Sequence, residues 1–227
     1  MLRMQQDGLI QLPPPRCQCP QARIQISVAT DPQSGIVLPV HALPDLELRL
    51  IVSRADSHLW NEFIHRYHNL GYSTLPGAQV RYWVYAGEQR LALLAFGAAA
   101  WMCAPRDQFI GWGHEQRQKN LHLIVNNARF LILPWVNSKN LASKILGQAA
   151  RQLPKDWLHR FGYRPLLLET LVEKNRFTGT CYRAANWLHT GQTKGRGKLG
   201  PSGKISVPIK DRWLYPLEKN FSSGLAR

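Results

Sequence analysis

Acidic residues are scarce in this sequence. Its 227 residues include 14 Asp and Glu against 29 Lys and Arg, so the formal net charge is +15 at pH 7. An excess of this size favours a polyanionic partner, most simply nucleic acid. The alternative is a soluble protein that is basic without such a partner. We favour nucleic acid because the cations are concentrated towards the C-terminus and aromatic residues lie among them.

Long apolar runs and a targeting signal are absent as well. The most apolar segment, Leu91 to Trp101, is shorter than the about 20 residues that a membrane-spanning helix needs. The N-terminus lacks the charged-then-apolar order of a signal peptide, and no basic amphipathic helix points to a membrane surface. We therefore expect a cytoplasmic protein without a membrane partner.

Residue patterns that hold metal ions are missing too. The cysteines are Cys17, Cys19, Cys103 and Cys181, and their spacing is not that of a zinc site. A cytoplasmic setting argues against disulfides. Because no acidic cluster has a metal-ligand pattern, we expect no metal site and rank a nuclease last.

The remaining pattern predicts an α/β protein with a mixed central sheet. Strands are expected at Ile24–Val28 and Leu46–Val52, and a helix capped by Ser57 is expected to run to His68. A hairpin and further alternating strands and helices follow. We divide the chain into an N-terminal extension (residues 1–56), a core domain (57–193) and a basic C-terminal segment (194–227).

The stretch from Leu121 to Leu153 has the pattern of a strand, a turn and a helix. The strand is expected to stop at Pro134, and the helix is expected to begin at Leu141 and to end at Pro154. Asn140 is the predicted N-cap. Free N–H groups at such a helix start make an anion site.

Two carboxylates are candidate catalytic bases. Glu169 interrupts an apolar strand, where burial is expected to raise the pKa of a carboxylate towards neutrality. The alternative is that Glu169 pairs with Arg129 or Arg164 and holds the sheet together. Asp107 follows Arg106, and this pair is either a base with its orienting charge or a structural ion pair.

Other side chains in or beside predicted loops are candidates for binding a base or a phosphate. His68 ends a helix and is either a base at a cleft mouth or a capping histidine. Tyr72 and Trp112 are candidate stacking platforms, with core packing as the alternative for Trp112. Arg106 can contact nucleic acid, and so can Arg176, which follows a strand where α/β sites gather.

Asn126, Asn127 and Arg129 interrupt an otherwise apolar strand. Buried polar groups are costly unless they are paired. We therefore expect a bulge here that frees backbone groups for a ligand, with a locally bonded polar bend as the alternative.

The strongest electrostatic feature is a Gly-rich basic segment near the C-terminus. Such a segment can follow a phosphate backbone, and the alternative is a solvated loop. Its nucleic-acid-binding candidates are Lys194, Arg196, Lys198 and Lys204.

Several long motifs have an unusual composition. They are RDQFIGW (106–112), NNARFLILPWVNSKNLAS (126–143), LLLETLV (166–172), RFTGTCYRAANW (176–187) and GQTKGRGK (191–198). Together they closely resemble the DruA family, which is named from the Druantia anti-phage defence system and also occurs with transposases. The resemblance implies a defence or mobile-element setting with a helicase or transposase partner, and it carries no settled activity.

The register ARFLILPWVNSKNLASKIL (128–146) resembles the strand, loop and helix of GCN5-related N-acetyltransferases. This resemblance implies a GNAT-like fold and an acyl-CoA-like donor, and it makes Tyr182 the general acid. Asn140 and Ala142 stand where that family has glycines, and Gly permits the closest approach of a pyrophosphate. The implied donor residues are Asn126, Asn127, Arg129, Asn137, Lys139, Asn140 and Ala142.

A shorter piece, RYHNLGYSTLPG (66–77) leading to AFG (95–97), is similar to Mom-type phage enzymes, which modify adenine in DNA. Two hypotheses result. The first is an enzyme that modifies a nucleobase by acyl-type group transfer, and the second is a non-catalytic DNA-binding module for a helicase or transposase. The sequence does not determine the donor molecule, the choice between DNA and RNA, the target base or the oligomeric state.

Overall fold

The structure is a computed structural model that describes residues 2–11, 24–195 and 207–225. The described chain forms a seven-stranded mixed sheet in the order β1-β2-β3-β4-β5-β7-β6, flanked by helices. This confirms the predicted α/β class with a mixed central sheet. The strands are β1 Leu46–Leu50, β2 Gln79–Ala86, β3 Gln89–Ala98, β4 Ile124–Ile132, β5 Leu167–Glu173, β6 Leu188–Gln192 and β7 Lys210–Pro216. The α-helices are α1 Leu2–Gln6, α2 Arg54–Tyr67, α3 Ala104–Ile110, α4 His114–Asn120, α5 Leu141–Phe161, α6 Thr180–Ala184 and α7 Phe221–Leu225.

The sheet is antiparallel except at its centre. Strands β4 and β5 run parallel, but they pair only from Ile124–Leu167 to Asn126–Glu169. Beyond these residues the two strands diverge, because β4 is bent. The divergence leaves a gap in the middle of the sheet.

A bulge in β4 causes this bend. Ala95 pairs with Arg129 and Phe96 pairs with Asn127, so Ala128 is the extra residue. The Asn127 amide donates to the carbonyls of Ala95 and Arg129, at 3.2 Å each. The side chain thus satisfies carbonyls that the disrupted ladder leaves unpaired. The predicted bulge is present, and Asn127 holds it. The carbonyls of Ala95 and Arg129 are bonded locally, as in the alternative, and are not free for a ligand.

Helix α5 covers one face of the sheet and is longer than predicted. It continues through Pro154 to Phe161 and ends at Gly162, whose N–H donates to the Leu158 carbonyl. The expected end at Pro154 is wrong because Leu153 and Trp157, both buried, keep this turn packed against the sheet. Burial of that face offsets the one helical hydrogen bond that proline removes.

Two further local predictions are wrong. Helix α2 is capped by Ser53, whose hydroxyl accepts from the Asp56 N–H at 3.0 Å. Ser57 lies inside the helix and accepts from Arg81 at 2.7 Å. The expected strand at Ile24–Val28 is absent because its alternating apolar side chains have nothing to cover. Val28 is 86% exposed and begins a short 3-10 turn.

The predicted N-terminal extension contributes to the central sheet. Its strand β1 pairs with β2 along five positions from Leu46–Ala86 to Leu50–Tyr82. Buried Glu62 on α2 also accepts hydrogen bonds from the Ser27 and Thr30 hydroxyls. Within the described ranges, no helix is long and apolar enough to cross a membrane.

Candidate functional site

A cleft of about 370 Å³ opens where β4 and β5 diverge. Its walls come from Asn127, Ala128 and Phe130 of β4, from the C-terminal half of β5, and from the β5–α6 loop with α6. Residues 68–70 after α2 and Lys210 of β7 complete it. The volume lies within the range of about 300–1,000 Å³ that is typical of small-molecule pockets.

The floor of the cleft is polar and held by short contacts. The Tyr182 hydroxyl donates to Asn127 Oδ1 at 2.9 Å, and the Thr170 hydroxyl donates to the Asn127 carbonyl at 3.0 Å. Asn127 therefore holds the bulge and orients both hydroxyls. Burial raises the pKa of Tyr182 well above its usual range. The phenol stays protonated at neutral pH and donates its hydrogen bond to Asn127. The role of general acid that the acetyltransferase resemblance implies for Tyr182 stays a prediction.

Tight packing fixes the position of α6 and hence of Tyr182. Gly179 precedes α6 with φ +68°, and a Cβ atom at this position would lie 2.8 Å from the Trp213 ring. Only glycine combines this backbone conformation with such close contact. The Tyr182 ring also packs edge-on against Trp187 at a centroid distance of 5.1 Å.

His68 lies at the mouth of the cleft in its neutral form. Burial, reinforced by the charges of Arg129 and Arg176, lowers the pKa of His68 to about 4. Its Nδ1 accepts from the Leu70 N–H at 3.2 Å, so the ring proton resides on Nε2. The predicted base is therefore a neutral hydrogen-bond donor in this arrangement.

The rim of the cleft combines cationic and aromatic side chains. Phe177 is 46% exposed, and the Arg176 guanidinium lies 5.6 Å from its ring centroid. Arg176, Phe177 and His68 also line an adjoining groove of about 480 Å³. Among the described residues that line the cleft, Glu173 is the one carboxylate, and Lys210 adds a second cation.

Glu169 does not reach this cleft, contrary to its predicted role as base. It is fully buried and binds the guanidinium groups of Arg106 and Arg212, and it also accepts from the Ala100 N–H at 3.1 Å. Glu169 thus forms a structural ion pair, as the alternative prediction stated. Its partners are Arg106 and Arg212, whereas Arg129 or Arg164 was expected. Arg129 instead binds Ser73, and Arg164 lies 3.7 Å from Glu218.

Asp107 belongs to the same buried network, so its predicted role as base is also not supported. Burial pushes the pKa of this carboxyl up, but the Trp112 N–H and the guanidinium groups of Arg106 and Arg117 hold it below its usual value. Arg106 has no exposed surface, so it is not a nucleic-acid contact. Trp112 is buried, and its indole N–H donates to Asp107. Trp112 therefore packs in the core, which was the alternative, and is not a stacking platform.

The predicted donor loop after β4 is separate from the cleft. The Asn137 N–H donates to the Ile36 carbonyl at 2.8 Å, and the Ile36 N–H donates to the Trp135 carbonyl at 2.8 Å. A segment of the N-terminal extension therefore occupies the Asn137 N–H, one of the groups that were expected to bind a pyrophosphate. Asn140 is the N-cap residue of α5, as predicted, but its backbone is left-handed and its side chain makes no capping hydrogen bond. All seven predicted donor residues lie in the described part of the chain, and of these Asn127 alone lines the cleft, whereas Asn137, Lys139, Asn140 and Ala142 lie apart from it.

The remaining candidates are scattered. Tyr72 lines a small pocket beside Arg81 and Arg129, away from the cleft. The Asn126 Oδ1 atom is buried and has no partner among the described residues. Lys194 is exposed next to β6. The predicted contacts Arg196, Lys198 and Lys204 lie outside the described residues.

Among the residues that line the cleft, Thr170, Glu173 and Phe177 were not singled out from the sequence. Glu173 ends β5 and Phe177 follows it after a short loop, where sites of α/β proteins gather. That rule selected Arg176 and could have selected its neighbours. In the described part of the chain, no group of three or more His, Cys, Asp or Glu side chains could hold a metal ion.

Comparison with known proteins gives one family and a set of distant structures. The family model described as Druantia protein DruA matches residues 17–225. A mutant of the spermidine N-acetyltransferase SpeG from Vibrio cholerae is 14% identical, with a TM-score of 0.48 over 76% of this chain and 94% of that chain. An acetyltransferase from Bacillus subtilis in complex with CoA is 9% identical, with a TM-score of 0.46 over 77% of this chain and 100% of that chain. Likeness at this level carries no argument about chemistry, and curated proteins gave no match.

Proposed function

The chain belongs to the DruA family, which is defence-related, and we propose that it binds nucleic acid and takes one base into the cleft between β4 and β5. The observation that carries this proposal is the composition of the cleft. A neutral polar floor, an aromatic wall and a cationic rim meet in one cavity of about 370 Å³.

Each part of the cleft suits one part of a nucleotide. The hydroxyl protons of Thr170 and Tyr182 and the N–H groups of the Asn127 amide are already donated within the protein. The oxygens of these three side chains can still accept hydrogen bonds from N–H groups on the edge of a base. Phe177 can stack on its face, and such stacking contributes about 1–3 kcal/mol per base. Arg176 and Lys210 can bind the phosphates beside it.

Electrostatics favour the same ligand. The chain carries a formal net charge of +15, which attracts a polyanion over long range and makes binding sensitive to salt. The neutral His68 accepts from the Leu70 N–H through Nδ1 and so presents Nε2–H as a hydrogen-bond donor at the cleft mouth. We therefore expect a base to enter the cleft while the cations around it hold the backbone.

The binding proposal is tested by fluorescence anisotropy with labelled single-stranded and duplex oligonucleotides over a range of salt concentrations. Arg176→Ala should weaken binding several-fold and reduce the salt slope by about one charge. The matched control is Arg54→Ala, because Arg54 is exposed and begins α2, at the opposite end of that helix from His68.

Equal losses for Arg176→Ala and Arg54→Ala would mean that binding is diffuse and does not involve the cleft. Absence of binding by the wild-type protein to every oligonucleotide would contradict the proposal altogether. In the setting of this family, we further expect a helicase or transposase partner and a cytoplasmic location.

The second candidate function is modification of the bound base by group transfer. It is favoured by one observation: Glu173 and Tyr182 line the same cleft as the expected base. With a thioester donor, an exocyclic amine of the base would attack the carbonyl carbon. The N–C bond forms, the C–S bond breaks, the amine proton moves to the Glu173 carboxylate, and the departing thiolate takes a proton from solvent.

The standard position of such a donor is already partly occupied. Because the Asn137 N–H is bonded to Ile36, a donor pyrophosphate would have to bind elsewhere or displace this segment. Recognition without transfer is therefore the function that the geometry supports best.

Nucleoside mass spectrometry on DNA and RNA from expressing cells separates the two functions. Group transfer predicts a new modified nucleoside in cells that express wild-type protein. It should be absent from cells that express Glu173→Gln. It should be present in cells that express Glu169→Gln, in proportion to the amount of that variant that folds. If nucleosides are unchanged in cells that express wild-type protein and the protein still binds oligonucleotides, the function is recognition without group transfer.

A further inference from the structure

A second cavity lies at the other end of β4. It measures about 360 Å³ and borders Ile124, the first residue of β4, whereas Ala128 and Phe130 border the cleft. Asn127 also borders the cleft, so at about 3.3 Å per residue the two cavities are separated by roughly 10–20 Å along the strand. The second cavity shares no lining residue with the first among the residues that the structure describes.

Aromatic rings form much of the wall of this cavity. Trp101, Trp157, His122 and Tyr163 line it. The His122 and Tyr163 rings meet edge-on at 5.1 Å, and Trp157 meets Tyr163 edge-on at 6.3 Å. These contacts give the wall a fixed shape.

Small side chains complete the cavity and leave room for a flat ring. They are Ala78, Ala98 and Ala99. Trp101 stands at the edge with 52% of its surface exposed, and its neighbour Met102 is 70% exposed. Adjacent large apolar side chains that are exposed beside a cavity are typical of an interaction site.

An exposed cation lies near the cavity, and no carboxylate lines it among the described residues. Arg160 is exposed on α5, three residues after Trp157. The Arg117 guanidinium lies 5.9 Å from the centroid of Trp101, but it is paired with Asp107. An aromatic cavity with an exposed arginine nearby suits a planar ring that is attached to a phosphate.

We propose that this cavity, defined by Trp101, His122, Trp157 and Tyr163, is a second base-binding site that stacks an unpaired nucleotide of the same nucleic acid. The inference rests on the proposed nucleic-acid binding and adds a second place on the protein, outside the cleft, where a base can bind. An exposed tryptophan can also serve a protein partner. The net charge of +15 and the exposed Arg160 near the cavity favour nucleic acid over that alternative.

The test uses a short single-stranded oligonucleotide that contains one 2-aminopurine, whose fluorescence is quenched by stacking. Trp101→Ala should lower affinity about 5- to 150-fold, the equivalent of one lost stacking contact, and should reduce the quenching. Trp101→Phe should restore most of both. Met102→Ala is the matched control, because Met102 is more exposed but does not line the cavity.

The outcomes separate this inference from the function on which it rests. If Trp101→Ala binds and quenches like wild type while Arg176→Ala binds less tightly, the proposal of a second site is wrong and the proposal that the cleft binds a base is retained. If Trp101→Ala loses only a protein partner, the surface is a protein interface and the inference is overturned. If wild-type protein binds no oligonucleotide, both proposals fail.

Discussion

Two neighbouring residues of β5 lead to opposite environments. Glu169 is sealed in a network of buried charges with Arg106 and Arg212, and the next residue, Thr170, lies in the polar floor of an open cleft. Successive strand residues point to opposite faces of a sheet, so one step along the chain separates the two. Both regions contain polar groups within an apolar sheet, but they satisfy them differently.

The difference lies in charge and in access. In the network, the carboxylates of Glu169 and Asp107 are paired with guanidinium groups and have little or no exposed surface. In the cleft, His68 and Tyr182 are neutral at pH 7 and border open space. The paired charges of the network hold strands and helices together, whereas the uncharged polar groups beside the cavity remain available to a ligand. We therefore assign structure to the first region and function to the second.

The largest expected effect is the removal of the central charge of the network. Glu169→Gln leaves the buried Arg212 guanidinium without the carboxylate that pairs with it, whereas Arg106 keeps Asp107. Breaking such a buried pair typically costs about 3–5 kcal/mol. Chemical denaturation measures the loss of unfolding free energy. Glu47→Gln, which disrupts an exposed pair with Arg49, should leave the midpoint close to wild type. A stable Glu169→Gln protein that lost its activity would restore Glu169 as a catalytic candidate.

Tight packing under the cleft should give the next largest effect. Gly179→Ala imposes a left-handed backbone strain of about 1–2 kcal/mol and a clash with Trp213 that adds about 1–3 kcal/mol. Gly111→Ala is the control for strain alone, because Gly111 has φ +78° and a Cβ atom there would meet nothing within 4 Å. Equal losses of unfolding free energy in the two variants would contradict the packing that holds α6.

The neutral state of His68 predicts a pH dependence. Its pKa of about 4 in the folded protein lies below the ordinary value of 6.5. Between these values the unfolded chain binds a proton that the folded chain does not, so stability is complete above pH 6.5 and falls as pH drops towards 4. We expect a loss of about 1–2 kcal/mol, since the side chain is partly exposed.

Denaturation at a series of pH values measures this effect in wild type and in His68→Asn. The amide oxygen of Asn can accept from the Leu70 N–H as Nδ1 does, and it does not titrate. The variant should therefore lose the part of the pH dependence between 6.5 and 4. An unchanged profile would mean that His68 is not held in its neutral form.

The smallest expected effect on stability belongs to Tyr182→Phe. This variant removes one hydrogen bond to Asn127, and we expect a loss of about 1 kcal/mol because the cleft can admit water to the vacated position. Oligonucleotide binding should fall more than stability does. A variant that binds like wild type would remove Tyr182 from the site while leaving the fold intact.

Local signals in the sequence predicted much of the fold. The hairpin, the buried strands and α5 follow from periodicity and from turn residues, and Asn127 indicated the bulge because a buried amide in an apolar strand needs partners. The end of α5 was not predictable from Pro154 alone, because tertiary packing of Trp157 outweighs the local cost of proline.

The candidate site was less predictable because its partners are distant in sequence. Nothing near Glu169 indicates that Arg106 and Arg212 are its partners, and nothing near Asn137 indicates that Ile36 pairs with its backbone. A carboxylate in an apolar strand is compatible with catalysis and with a buried ion pair. Only the arrangement of the strands distinguishes the two.

Photo-crosslinking tests the central assignment most directly. An oligonucleotide that contains 4-thiothymidine would be irradiated in complex with wild-type protein, and the adducts would be located by peptide mass spectrometry. The assignment predicts adducts within residues 68–70 and 176–182, around His68 and Phe177, and their loss in Arg176→Ala. Retained binding with no adduct in either segment would contradict the cleft as the nucleic-acid site.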